Sequence, residues 1–283
     1  MVSKKIVLIG ATGFIGKQVL NDLFYSGHNV TIVLRKPNKN SLKLSVNTLS
    51  LKQLVKSRDK YDCIVNCAGY YSKSSKFLEL IKIYRGNYSL IKKLIKFQSR
   101  TGGSLITFGS YFEHQSSWKN NPAKHYIRYK IKARKILETY AKKIPFPLFY
   151  IYLFDTYGEE DNRNKVLSFI INEFKEGRDP RLLNSLEYIN WTHKDDISDS
   201  IIRLVDNNHK FTPYNLHEFQ IRSRDEFKLR DFVNIIKVRH EHQIDRLNTE
   251  SRIYKLSDCA PNLVYFEAKN RVIDFTVNMI QKN

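Results

Sequence analysis

Residues 5–16 read KIVLIGATGFIG, a run of aliphatic side chains that breaks into glycine at Gly10, Gly13 and Gly16. The run predicts a buried strand, and Phe14 to about Ser26 carries a helical pattern that Gly27 ends. A glycine triplet between a strand and a helix has a definite physical use. The first glycine permits the tight turn, the second lets backbone approach a pyrophosphate, and the third lets helix and sheet pack closely. The helix N-terminus then offers N–H groups to an anion. Gly10, Thr12, Gly13, Phe14, Ile15 and Gly16 are therefore the expected dinucleotide contacts. The spacing is Gly-x-x-Gly-x-x-Gly rather than Gly-x-Gly-x-x-Gly, and a glycine-rich turn without a ligand is the competing reading.

Working outward, short apolar runs alternate with amphipathic segments. NVTIVL (Asn29 to Leu34), CIVNCA, SLITFGS (Ser104 to Ser110) and LFYIYLF (Leu148 to Phe154) predict strands. Helices are expected near Leu51 to Arg58, over Leu78 to Ser99, and over His125 to Lys143, where Pro145 and Pro147 stop the last. This alternation predicts an α/β fold, a Rossmann-type doubly wound parallel sheet. Beyond Tyr157 the pattern loosens. Helices are read at Val166 to Lys175, Asp195 to Val205, Asp225 to Val238 and Ala268 to Gln281, with a short strand at Tyr214 to His217. The division expected is a dinucleotide-binding domain over 1–155 with parts of 185–220. A small C-terminal α/β substrate lobe takes about 156–185 and 220–283.

The chain has 283 residues, 42% of them hydrophobic, enough to bury a sizeable core. No stretch approaches the roughly 20 apolar residues that span a bilayer. The opening MVSKK resembles the basic end of a secretory signal, but its apolar run is short and enters the glycine pattern, so a first strand and a cytoplasmic protein are expected. The formal net charge is +20. The lysines are spread evenly, which reads as solvated surface rather than a nucleic-acid or membrane patch, and a positive field also suits an anionic substrate. Cys63, Cys67 and Cys259 give no disulfide framework. HEH at His240 to His242 lacks an evident third ligand, so no metal site is expected. Asp195 and Asp196 point apart on a helix and suit its first turn.

Two further stretches carry chemistry. The second strand ends VLRK, where a carboxylate would bind the ribose 2′-hydroxyl of NAD and a cation would accommodate the extra phosphate of NADP. Arg35 and Lys36 stand there, so NADP is favoured over NAD. In HYIRYKIK, Tyr126 and Lys130 are four apart and share a helix face. A nearby ammonium favours the phenolate, so Lys130 is expected to lower the Tyr126 pKa into range for acid–base work. Ser110 ends the strand before that helix, and its hydroxyl could hold a substrate oxygen against the tyrosine. Surface decoration is the alternative for the pair, and a plain strand-ending serine for Ser110.

GATGFIG, the NCAG at a strand end, Ser110, Asn87, the Tyr126-x-x-x-Lys130 pair, TYG at Thr156 to Gly158 and NWTHKDDISDSI together resemble the extended short-chain dehydrogenase/reductases, the NAD-dependent epimerase/dehydratase family. The resemblance covers residues 4 to 220, and within the family it looks most like 4-ketosugar reductases of the CDP-abequose synthase and paratose synthase type. It implies that Tyr126 donates a proton to a sugar C4 oxygen while hydride arrives from the nicotinamide. It further implies that Lys130 holds the nicotinamide ribose, Ser110 binds the carbonyl, and Ala68 and Gly69 line the cofactor path. Arg163, Asn164 and Lys165 fall where relatives contact a nucleotide-sugar pyrophosphate. A homodimer through the helices at about 78 to 99 and 125 to 143 is implied too. The chain departs from the pattern in several places. Tyr111 and Phe112 replace the Asp-Glu that 4,6-dehydratases use for elimination. Leu153 replaces an arginine, and no acidic residue stands near Leu49 to Leu51. A nucleotide-sugar epimerase, a reductase of a small carbonyl, and a non-catalytic protein binding RNA or a protein partner stay open at this point.

Overall fold

The computed structural model describes residues 2–35, 44–182, 188–223, 225–241, 264–267 and 270–282. The chain forms two compact units: Met1–Leu153 with Ser198–Gln220 and Asp258–Val264, and Phe154–Ile197 with Ile221–Ser257 and Tyr265–Asn283.

In chain order the first unit opens with β1 (Lys5–Ile9), α1 (Phe14–Tyr25), β2 (Asn29–Leu34), β3 (Asn47–Ser50), α2 (Leu51–Lys56) and β4 (Cys63–Asn66). It continues with α3 (Phe77–Tyr84), α4 (Leu90–Thr101), β5 (Ser104–Ser110), α5 (Lys124–Ala141) and β6 (Leu148–Leu153). Then follow β7 (Asp155–Tyr157), α6 (Val166–Lys175), β8 (Tyr188–His193), α7 (Lys194–Asn207), β9 (Leu216–Arg222), β10 (Glu226–Lys228), α8 (Leu229–Glu241), β11 (Val264–Glu267) and α9 (Val272–Gln281).

Within the first unit the strand order is β9-β6-β5-β4-β1-β2-β3. The pairs β1–β2, β1–β4, β4–β5 and β5–β6 are parallel, with Ile6 opposite both Val30 and Cys63, and Leu105 opposite Leu148. Such strands are covered on both faces, which is why IVLI after Lys5 and SLITFGS read as unbroken buried runs. On one face Leu90, Ile91, Leu94 and Ile95 of α4 and Ala133, Leu137 and Ala141 of α5 pack over Val7, Ile64, Leu105 and Leu148. Lys92, Lys93 and Lys96 of α4 and Arg128, Lys132 and Lys135 of α5 stay exposed, so much of the positive charge is a solvated outer face. The chain order turns back between β1 and β4, and the carboxyl ends of strands at such a switch form the ligand crevice of open α/β sheets.

The second unit holds β7 parallel to β8 and β8 antiparallel to β10. Its core gathers Trp191, Phe227, Phe232, Leu167 and Ile170 with Val272 and Val277 of α9.

Three expectations need correction. Tyr214 has φ of 60°, which a strand does not accommodate, so the predicted strand at Tyr214 to His217 begins at Leu216 instead. Glu226–Lys228 pairs with β8 as a strand, so the helix expected from Asp225 starts at Leu229. The helix expected over Leu78 to Ser99 is interrupted by a wider π turn at Arg85–Ser89. There Gly86 lies against Tyr70, and a Cβ on it would stand 2.9 Å from the Tyr70 Cβ. The buried Asn87 donates to the carbonyls of Ile83 (3.0 Å) and Tyr70 (2.7 Å). Cys259 and Lys36 lie outside the described residues, as does His242.

Candidate active site

The glycine loop takes the shape its spacing requires. Gly10 has φ of +84°, and its carbonyl accepts from Gly13 N at 2.9 Å. A Cβ on Gly16 would stand 2.0 Å from the Gly10 oxygen, and one on Gly10 would meet Ala68 N at 2.6 Å. Both positions therefore exclude any side chain. Gly13 differs: a Cβ there would meet only the Gly10 oxygen, at 3.3 Å. It caps α1 with no side-chain hydrogen bond, and the first turn of α1 carries no acidic residue. Thr12 and Gly13 are exposed, while Phe14 and Ile15 are half-buried. Tight packing below and an open, uncapped helix end above fit the pyrophosphate of a dinucleotide.

The end of β4 completes this floor. Asn66, 2% exposed, donates to Thr107 Oγ1 at 2.9 Å and accepts from Ala68 N at 3.2 Å. Gly69 is exposed, and a Cβ on it would stand 3.3 Å from Asn87 Oδ1 and 3.8 Å from Lys130 Nζ. Arg35 follows β2 directly and is exposed, as a partner for a 2′-phosphate would be.

The structure brings Ser110, Tyr126 and Lys130 together. Ser110 ends β5 close enough to Tyr126 for its side chain to favour the phenolate. Lys130 Nζ donates to the Phe108 carbonyl at 2.7 Å and stands 5.7 Å from the Tyr126 ring centroid. Tyr71 meets the same ring edge-on at 5.1 Å. The expected fall in the Tyr126 pKa does not occur. Burial raises it, the Glu113 charge raises it further, and the Ser110 side chain only partly opposes them. These effects together favour the protonated phenol. Burial also lowers the Lys130 pKa, against the pull of Glu113.

Glu113 is the group the sequence reading missed. Ser110 and Glu113 form a capping box on the short turn Tyr111–His114. The Ser-x-x-Glu spacing was the available signal.

Asn164 and Lys165 sit elsewhere, in a cavity of about 390 Å³ within the second unit, lined also by Asp155, Asp161 and Trp191. Arg163 lines it too, with Nε and Nη2 each 2.6 Å from an Asp161 carboxylate oxygen. Lys165 Nζ stands 3.4 Å from Asp155. Among the described residues no cluster of His, Cys, Asp or Glu could hold a metal ion, and no helix is long and apolar enough to cross a membrane.

A family model described as the NAD dependent epimerase/dehydratase family matches residues 6–216. The chain belongs to this family. It is accordingly an enzyme of the epimerase/dehydratase type with a nicotinamide dinucleotide as cofactor. The reading as a non-catalytic binder gives way to that membership. The chain is 24% identical to the CDP-abequose synthase of Yersinia pseudotuberculosis, over 98% of this chain and 100% of that protein. Among solved structures, the Bordetella bronchiseptica enzyme WbmF in complex with NAD+ and UDP is similar at a TM-score of 0.72 and 18% identity, covering 99% of this chain and 92% of the other. The UDP-N-acetylglucosamine 4-epimerase of Bacillus cereus is similar at 0.68 and 14%, covering 98% and 95%. At these identities the two structures establish the fold of this epimerase/dehydratase-family enzyme and no more.

Proposed function

We propose that this enzyme reduces a nucleotide-linked 4-keto-6-deoxyhexose with NADPH. The observation that carries the reading is Tyr126 one helical turn from a buried Lys130 whose Nζ stands 5.7 Å from the phenol ring, with Ser110 at the end of β5 acting on the same phenol. When bound, the cofactor supplies the hydride. Tyr126 gives its proton to the sugar C4 oxygen, and the Ser110 hydroxyl holds that oxygen in line. Lys130 keeps a positive charge beside the phenol and holds the nicotinamide ribose, and it stabilises the phenolate left after transfer. Gly10, Thr12, Gly13, Phe14, Ile15 and Gly16 carry the pyrophosphate, with Ala68 and Gly69 along the cofactor path. The exposed Arg35, with no carboxylate beside it in sequence, supports NADP over NAD.

Asn164 and Lys165, with Arg163, take the diphosphate of the nucleotide sugar in the second unit's cavity. The name of the Yersinia relative puts CDP first among the nucleotides to try. Tyr111 and Phe112 stand where an elimination enzyme needs acid and base, which supports reduction over dehydration. The active form in this reading is a homodimer through the α3–α4 segment and α5, working in the cytoplasm. Nucleotide analysis of the purified protein tests the direction of hydride flow. A reductase releases NADP and binds NADPH reversibly; NAD retained one per chain would replace this reading with an epimerase, which returns the hydride to the carbon it came from.

A further inference from the structure

The polar face of α5 carries three residues one turn apart, and each has its own partner. Tyr126 meets Ser110, and Lys130 meets the Phe108 carbonyl. Arg134 Nη1 lies 3.5 Å from both carboxylate oxygens of Glu218. Glu113, from the turn after β5, acts electrostatically on all three. Its Oε1 accepts from Ser110 N at 2.8 Å, and the Tyr150 hydroxyl stands 3.0 Å from Oε1 and 3.2 Å from Oε2. The seat is shaped for this carboxylate. A Cβ on Gly109 would stand 2.8 Å from Glu113 Oε1 and 2.3 Å from Tyr150 Cε1, so glycine there leaves the room that both side chains use.

We propose that Glu113 is a positioning residue for the reaction: the counter-charge that answers the buried Lys130 ammonium and the anchor that holds Ser110 at Tyr126. The inference rests on the reading above in which Lys130 holds the cofactor ribose. Lys130 has 7% of its surface exposed, and desolvation disfavours its charged form. Glu113 is the charge that opposes this effect. The carboxylate is itself pushed up by burial, against Ser110 N–H, Lys130, the Tyr150 hydroxyl and Arg134. From α5 the groups facing Glu113 are Tyr126, Lys130 and Arg134, and from β6 they are Tyr150 and Tyr152. A residue that merely capped the turn would need the hydrogen bonds and not the charge.

Glu113→Gln separates the two roles, because the amide oxygen still accepts from Ser110 N while the charge is gone. The readout is NADPH affinity against pH, followed by nucleotide fluorescence. Removing the carboxylate lets Lys130 lose its proton at lower pH, so the alkaline limb moves down by about one unit. Affinity near pH 6 stays at the parent's, and at pH 9 it is weaker by about tenfold. Glu113→Asp, which keeps the charge, returns the limb towards the parent's position. A Gln profile that superimposes on the parent's overturns the inference. A shifted profile in an enzyme that reduces no 4-ketosugar overturns the proposed function and leaves the Glu113 inference standing. Should Glu113→Gln fail to fold, the double variant Glu113→Gln/Lys130→Met decides. It folds if the carboxylate answers the lysine charge, and a double variant that also stays unfolded contradicts the inference.

Discussion

The two units keep their charges differently. In the first, Lys130 and Glu113 are tied to backbone: the ammonium to the Phe108 carbonyl, the carboxylate to the Ser110 amide. Their positions are fixed by a strand end and a helix face. In the second, Arg163 and Lys165 are paired with the carboxylates of Asp161 and Asp155 around a cavity. That cavity is lined in part by an irregular stretch where Glu160 has φ of 60°. Chemistry that must recur with fixed geometry rests on rigid elements, and recognition that must suit one ligand rests on a loop whose charges can change partner.

The sharpest way to break the rigid half is at its glycines. Gly16→Ala drives a Cβ into the Gly10 carbonyl and should cost about 3 kcal/mol by urea denaturation, together with loss of NADPH binding. Gly27→Ala is the control: φ is +81° but no atom lies within 4 Å, so only conformational strain of about 1 kcal/mol is expected. Equal costs for the two would mean that close approach in the glycine loop does not matter.

The adaptable half answers to Asp161. Asp161→Asn removes the charge paired with the Arg163 guanidinium, which keeps its bond to the Thr156 carbonyl, and takes a negative charge from the cavity wall. Nucleotide diphosphate binding should tighten by about fivefold, on the order of 1 kcal/mol. Weaker binding would show that Asp161 aims Arg163 at the ligand instead of restraining it.

The smallest effect is a stability change at low pH. His28 Nδ1 accepts from Lys4 N at 3.3 Å, and Nε2 lies 3.3 Å from Asp206. Burial lowers the His28 pKa below its ordinary 6.5, against the pull of Asp206. The folded protein therefore binds fewer protons there than the unfolded chain. Stability is complete above pH 6.5 and declines as pH falls towards the folded-state value. His28→Gln should flatten that decline in melting temperature, and an unchanged slope would point to another group.

Much of the first unit was legible in the sequence, because its physics is local. A β-branched run, three glycines and a helical period decide β1, the turn and α1 without reference to distant residues. Tyr126 and Lys130 show as a pair through helical spacing, and Ser110 through its place at a strand end. Glu113 escaped because its task depends on Gly109, Tyr150 and Lys130, which only the fold brings together. The pKa of Tyr126 escaped for a related reason. Helical spacing shows that an ammonium is near, but it shows neither the burial of the phenol nor the carboxylate beside it. The strand β3 was hidden in a short polar stretch, and β10 in a helical pattern that β8 overrides by pairing. Arg163 showed in the sequence as a charge and not as a pair with Asp161, which closes only in the folded turn.

The most direct test of the proton-donor account is NADPH oxidation by the purified enzyme. CDP-, dTDP-, GDP- and UDP-linked 4-keto-6-deoxyhexoses are supplied in turn, with Tyr126→Phe assayed alongside. The account predicts turnover of at least one of them, and a fall of at least about a hundredfold in kcat when the hydroxyl is removed. A Phe variant that reduces the same sugar as fast as the parent would contradict it.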